Sequence, residues 1–181
     1  IFLENTGATQ DGLPVYQADQ ADARLQGVEI AAHWQPAAWA TLEASFEAVD
    51  GELTDSGDDL PLLPADSLAA KARFHKSSWK GLQNLRAHVG VRHARDKDAA
   101  GPYEPFSQFD NKPFGTASTE SYTLWSLGLG TDVPLGNGTA AELDLRVENL
   151  FDEAYRDFLD TYKGYALGAG RNVILTASVP F

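Results

Sequence analysis

The chain has 181 residues, enough for one domain, with 43% hydrophobic residues and a net charge of −12 at pH 7. That charge argues against nucleic acid, which needs a basic patch, and the absence of Cys excludes disulfides, thiol catalysis and Cys-ligated metal centres. Mean hydropathy is −0.30, and no run of about 18 apolar residues occurs, which excludes a spanning helix but not a membrane barrel.

Ile1 to Asn5 reads as the tail of a strand, and Thr6 to Leu13, with Gly7, Asp11 and Gly12, as a loop. Val15 to Trp34 is expected as one long strand, Val28, Ile30 and Ala32 facing away from Glu29, Ala31 and His33. Gln35 to Ala38 is a short turn around Pro36, which cannot donate to a ladder. Trp39 to Asp50 alternates Ala40, Leu42, Ala44, Phe46 and Ala48 against Thr41, Glu43, Ser45 and Glu47. Gly51 to Ser67 is a long loop rich in Gly, Asp and Pro. Leu68 to His75 and Leu82 to Arg92 are strands joined by a short turn at Ser77 to Gly81. His93 to Ser118 is the longest loop. Glu120 to Asp132 is a strand, Pro134 to Gly138 a turn, and Ala141 to Glu148 a strand of unbroken alternation. Asn172 to Phe181 closes the series with Val173, Leu175, Ala177, Val179 and Phe181 on one face. No helical period competes. The chain has neither Met nor a signal peptide, and is expected to be a piece of a longer precursor opening in mid-strand.

These eight strands are expected to form an all-β, antiparallel, up-and-down transmembrane barrel, here an open partial one. The connections alternate long and short, which puts every long loop at one end, as in outer-membrane barrels. Trp34, Trp39 and Trp79, three of the four Trp, flank the short turns, where an aromatic girdle would lie. The polar parity carries Glu29, Glu43, Glu47, Lys71, Arg73, Arg86, Glu142, Asp144, Arg146 and Glu148. A small barrel in water fills its interior with apolar side chains, so the apolar parity is expected to face lipid and the charged parity a wet or plugged lumen.

Glu148-Asn149-Leu150-Phe151-Asp152, then Tyr155-Arg156, then Gly170-Arg171-Asn172 and a last strand to Phe181, resemble the C-terminal end of TonB-dependent outer-membrane receptors. Gly27-Val28-Glu29 and Leu60-Pro61-Leu62-Leu63-Pro64 fit the same family less specifically. The resemblance covers residues 1–181 as the C-terminal part of the receptor barrel. It implies the last eight strands of a barrel of about 22, enclosing a plug that is not in this sequence. It also implies an outer-membrane location, uptake of a ferric siderophore, haem or other metal complex, and coupling to TonB through an N-terminal part outside this chain. Phe181, with Val179, Ala177 and Leu175, would be the assembly signal read by the barrel-assembly machinery. No substrate residue and no cofactor transfers. The rival readings are a complete eight-stranded barrel with a structural or adhesion role and a soluble carbohydrate-binding β-sandwich.

The remaining clusters favour bland roles. His33, His75 and His88 share the polar parity, but a turn centred on Ser78 to Lys80 would set His75 opposite residue 82, about 20 Å from His88 along the sheet. No zinc site is expected from them, since zinc draws its ligands to one centre. Asp144, Glu142 and Arg146 line one face of a strand rather than acid–base machinery, and no nucleophile, phosphate-loop or metalloprotease motif occurs. Acids in the loops, Glu52, Asp55, Asp58, Asp59 and Asp66 in one and Asp152, Glu153, Asp157 and Asp160 in another, read as solvated surface, with a cation-selective mouth as the alternative. Tyr103, Phe106, Phe109 and Phe114, and Tyr155, Phe158, Tyr162 and Tyr165, would sit at the outer mouth. There they would either stack on a planar ligand or pack on themselves and anchor at the interface.

Overall fold

The computed structural model describes residues 2–60, 62–98, 118–136, 138–160 and 162–179. Every regular element among them is a strand: β1 (Phe2–Gln10), β2 (Leu13–Asp19), β3 (Ala23–Ala37), β4 (Ala40–Leu53), β5 (Ser67–Trp79), β6 (Leu82–Ala94), β7 (Tyr122–Gly136), β8 (Thr139–Glu148) and β9 (Asn172–Ser178). β3 to β9 form one antiparallel sheet in chain order. Among the described residues β3 and β9 do not pair with each other, so the sheet is open. β1 pairs only with β2. The closed eight-stranded rival needed the first strand against the last, and that pairing is absent among the described residues.

The N-terminal reading needs correction. Thr6 to Leu13 is not a loop: β1 continues to Gln10, and the chain reverses at Asp11 and Gly12, with φ of 52° and 81°. Two consecutive positive φ values make a type I′ turn, whose twist matches that of the strands it joins. The expected long strand from Val15 also breaks, between Asp19 and Ala23, leaving β1 and β2 as a separate two-stranded ribbon. Among the described residues nine strands therefore replace eight, and the first connection is tight rather than long. Within the sheet the alternation holds. The links β3 to β4 at Ala38 and Trp39, β5 to β6 at Lys80 and Gly81, and β7 to β8 between Gly136 and Thr139 are short, and three long segments make the other connections. Lys80 and Gly81 have φ of 50° and 89°, a second I′ turn in which glycine takes the position most strained for other residues.

Register carries the sidedness across the wall. Trp34, Leu42, Ala72, Val89, Leu127, Val147 and Val173 pair in one continuous row over all seven strands. The row beside it on the other face runs Thr41, Arg73, His88, Gly128, Arg146 and Ile174. Strands β3 to β7 have 13 to 15 residues, more than the 9–11 or so a tilted strand needs to cross a bilayer.

The apolar face is uncovered: Trp34 is 63% exposed and Leu175 74%. Among the described residues, elements meet only as sequential neighbours and no second layer lies on this face. A β-sandwich buries that face between two sheets, so the soluble rival fails on the fold. Large buried side chains gather instead near the long-loop end, where Leu53, Tyr122 and Phe158 lie.

Candidate functional site

Two constellations occupy the polar side. The first is on the wall near the short turns. Asn84 adopts φ 48° at an irregularity between Gln83 and Arg86 in the β6–β7 ladder, a bulge that re-aims side chains. Asn84 Nδ2 donates to Asp132 at 2.6 Å. Arg86 reaches three carboxylates, Asp132 at 3.1 Å, Glu142 at 2.8 Å and Asp144 at 3.3 Å. One guanidinium thus ties β6 to β7 and β8 through planar, charge-assisted bonds. Towards β4, Arg73 pairs with Glu43 at 2.9 Å.

The second constellation is the segment from Asn149 to Arg171, which joins β8 to β9. Asn149 is 6% exposed and left-handed, with φ 47°. Its amide nitrogen donates to the carbonyls of Glu153 and Ala169, and its amide oxygen accepts from Glu153 N–H. Asp152 accepts from Arg171 N–H at 2.7 Å. Leu150 N–H donates to Trp125 O, and Phe151 meets the Trp125 ring edge-on at 6.3 Å. Gly168 N–H donates to Tyr155 O, and a Cβ on Gly168 would collide with the Tyr155 ring. The Asn-Leu-Phe-Asp and Gly-Arg-Asn elements are therefore two halves of one clasp that pins both ends of a long loop to the strand tops.

Inside the clasp, the Tyr155 ring packs at a 40° tilt against Tyr122, with ring centroids 4.6 Å apart. Tyr122 donates to Asp157 at 2.7 Å, and Arg92 lies 3.4 Å from the same carboxylate. Burial raises the Asp157 carboxyl, but the bonds from Tyr122 and Leu159 N–H and the Arg92 charge outweigh it, leaving it below the usual carboxylate range. A depressed pKa adds stability that is complete above the unfolded value of about 4 and is lost as pH falls through the lower folded value. A spin label at exposed Leu159 is accordingly expected to stay immobile from pH 7 to about 5 and loosen below about 4. Asp157→Asn should be looser at pH 7 and insensitive across that range.

Neighbouring loops join this core. Lys97 donates to Pro64 O at 3.2 Å and lies 5.8 Å from the Phe158 ring. Lys163 Nζ is buried 3.3 Å from the centroid of the same ring and donates to Phe158 O. Segments from all three long connections thus meet around Phe158. Below them a depression of about 720 Å³ draws lining residues from all seven strands of the sheet, among them His33, Lys71, Arg92, Ser126 and Asn172, with Tyr155 at its rim.

Of the aromatic mouth candidates, the structure separates Tyr155, half-buried on Tyr122, from Tyr162, which is 60% exposed. Tyr103, Phe106 and Phe109 lie outside the described residues, as does Phe181. Leu175 and Val179 are exposed on the apolar side, and Ala177 pairs with Leu143. The histidine spacing needs correction, because the turn lies at Lys80 and Gly81. His75 pairs with Arg86, and His88 with Arg73, so His75 and His88 are near neighbours rather than about 20 Å apart. Among the described residues no group of three or more His, Cys, Asp or Glu is placed to hold a metal. Sequence reasoning missed both the bonds of Asn149 to Glu153 and Ala169 and the separate Tyr122–Asp157 bond. The available signal was the Asp157-x-Leu159 and Asp160-x-Tyr162 spacing, where each Asp caps the N–H two residues on.

A single antiparallel sheet in chain order, apolar and exposed on one face among the described residues and charged on the other, has the build of a β-barrel wall that meets lipid on its outside. The family model described as TonB dependent receptor-like, beta-barrel matches residues 1–150, and the chain belongs to that family. Among curated proteins none matches. Solved structures share the fold. The copper transporter OprC superposes with a TM-score of 0.69 at 17% identity, over 94% of this chain and 24% of its own. BauA, the ferric preacinetobactin receptor from Acinetobacter baumannii, gives 0.66 at 19% identity, over 97% of this chain and 24% of its own. FpvAI, from a complex with pyocin S2, gives 0.61 at 17%, over 97% and 22%. The chain spans about a quarter of the length of each.

Proposed function

We propose that this chain is the C-terminal part of the barrel of an outer-membrane, TonB-dependent receptor that takes up a scarce metal complex. The observation that carries the reading is the two-faced wall running into one clasped cluster of long loops: lipid on one side, a charged lumen on the other, and a mouth at one end. Short turns then lie in the periplasm and long loops outside. Family membership supports an energy-coupled transporter rather than an enzyme, with TonB engaged through a part outside this chain. The likeness to copper and ferric-siderophore proteins supports a metal ion or its chelate as solute. Tyr155 and Tyr162, with Tyr103, Phe106 and Phe109, are the aromatic residues of the loops that would meet it. Leu175, Ala177, Val179 and Phe181 would present the assembly signal to the barrel-assembly machinery.

The test is uptake of radiolabelled ferric and cupric chelates by cells that make the full-length protein carrying this chain. Accumulation that disappears when TonB is deleted is expected. Uptake unchanged by that deletion, or a protein that fractionates away from the outer membrane, would overturn the reading.

A further inference from the structure

The apolar face has one charged exception. Along the outward parity of β5 to β9, among the described residues, Lys76 is the only Asp, Glu, Lys or Arg; it pairs with Leu85, and Phe74, Leu129, Leu143 and Leu175 share that parity. These residues, with Trp39, line a depression of about 810 Å³. Arg86 and Asp144 also touch it, but they are paired with each other. No carboxylate or carbonyl among the described residues accepts from Lys76. A lysine facing hydrocarbon is costly at mid-depth and tolerable near an interface, where its stem lies along apolar surface and its ammonium reaches the headgroups. Lys76 sits four residues before Lys80, roughly 13 Å along the strand from the turn. Lys80 adds a second cation there, 4.9 Å from the Trp79 ring.

From this we propose that the outer wall near the short turns binds one acidic glycerophospholipid, its acyl chains in the apolar groove and its phosphate on Lys76. Charge complementarity selects the occupant. The chain carries 26 acidic against 14 basic residues, yet the outward parity here presents a cation and no acid among the described residues, the Asp144 that reaches the groove being paired with Arg86. A zwitterionic headgroup brings its own ammonium to the phosphate, so an anionic lipid gains more from Lys76. The proposal rests on the outer-membrane reading above.

Its test uses the full-length protein in nanodiscs of equal phosphatidylglycerol and phosphatidylethanolamine, with native mass spectrometry of the retained lipid. One phosphatidylglycerol held with about fivefold preference is expected, the scale of one lysine at an anionic surface. Lys76→Gln should abolish the preference and Lys76→Arg keep it. Equal retention by wild type and Lys76→Gln, or phosphatidylethanolamine or lipopolysaccharide held instead, overturns the site while leaving a folded membrane barrel. A protein that does not enter lipid at all overturns the membrane reading with it.

Discussion

Leu175→Arg is expected to remove the full-length protein from the outer membrane, whereas Thr176→Arg, one residue on, is expected to leave it there. Leu175 lies mid-strand on β9, pairs with Leu145 and is exposed on the apolar side. Arginine at the bilayer midplane of a barrel costs about 2–4 kcal/mol. Thr176 pairs with Asp144 on the charged face, where a new cation has a carboxylate beside it and meets no hydrocarbon. Heat-modifiable mobility of the protein in outer-membrane fractions separates the outcomes. Equal loss in both variants would mean that parity does not decide which side meets lipid, and the sidedness drawn from register would be wrong.

Asn149→Ala is expected to release the loop between β8 and β9 without unfolding the wall. The substitution removes three hydrogen bonds, leaves the Glu153 N–H and the Glu153 and Ala169 carbonyls without this partner, and puts alanine at φ 47°. Together these amount to about 3 kcal/mol, roughly a hundredfold in the opening equilibrium. Hydrogen exchange should show that loss across residues 153–169, with β6 and β7 unchanged. Asn149→Gly accommodates the backbone but not the bonds and should fail nearly as badly. Asn149→Asp keeps the acceptor for Glu153 and should fall between. Wild-type protection in the glycine variant would show that the bonds are not what closes the clasp.

The wall was legible in the sequence because a strand's two faces are written in period two, and seven strands carry that period clearly. The ends of strands were less so. Asp11-Gly12 is a strong hairpin signal, but the polar residues around it, from Asn5 to Gln10, have no apolar alternation, so an extended ribbon read as a loop. Displacing the turn at Lys80 and Gly81 by about two residues moved His75 away from Arg86, since a hairpin shift changes partners by twice its size. The clasp was legible as a family signature but not as a mechanism. Asn149 acts through a left-handed backbone and partners 4 and 20 residues away, which no local pattern reveals. The bulge at Asn84, likewise, is set by its bond to Asp132 across the ladder.

The order of β3 to β9 in the sheet is their order in the chain, and every strand neighbours only the next. Consecutive strands are sheet neighbours throughout, so the wall is modular in units of a hairpin. Adding or deleting two strands at a time keeps the lipid side, the lumen side and the loop end in phase. A single strand more or less would turn everything after it end for end, sending long loops to the wrong side of the membrane. Barrels grown from such walls therefore change their girth in steps of two, and each step alters the mouth by one long loop while the rest of the wall keeps its register.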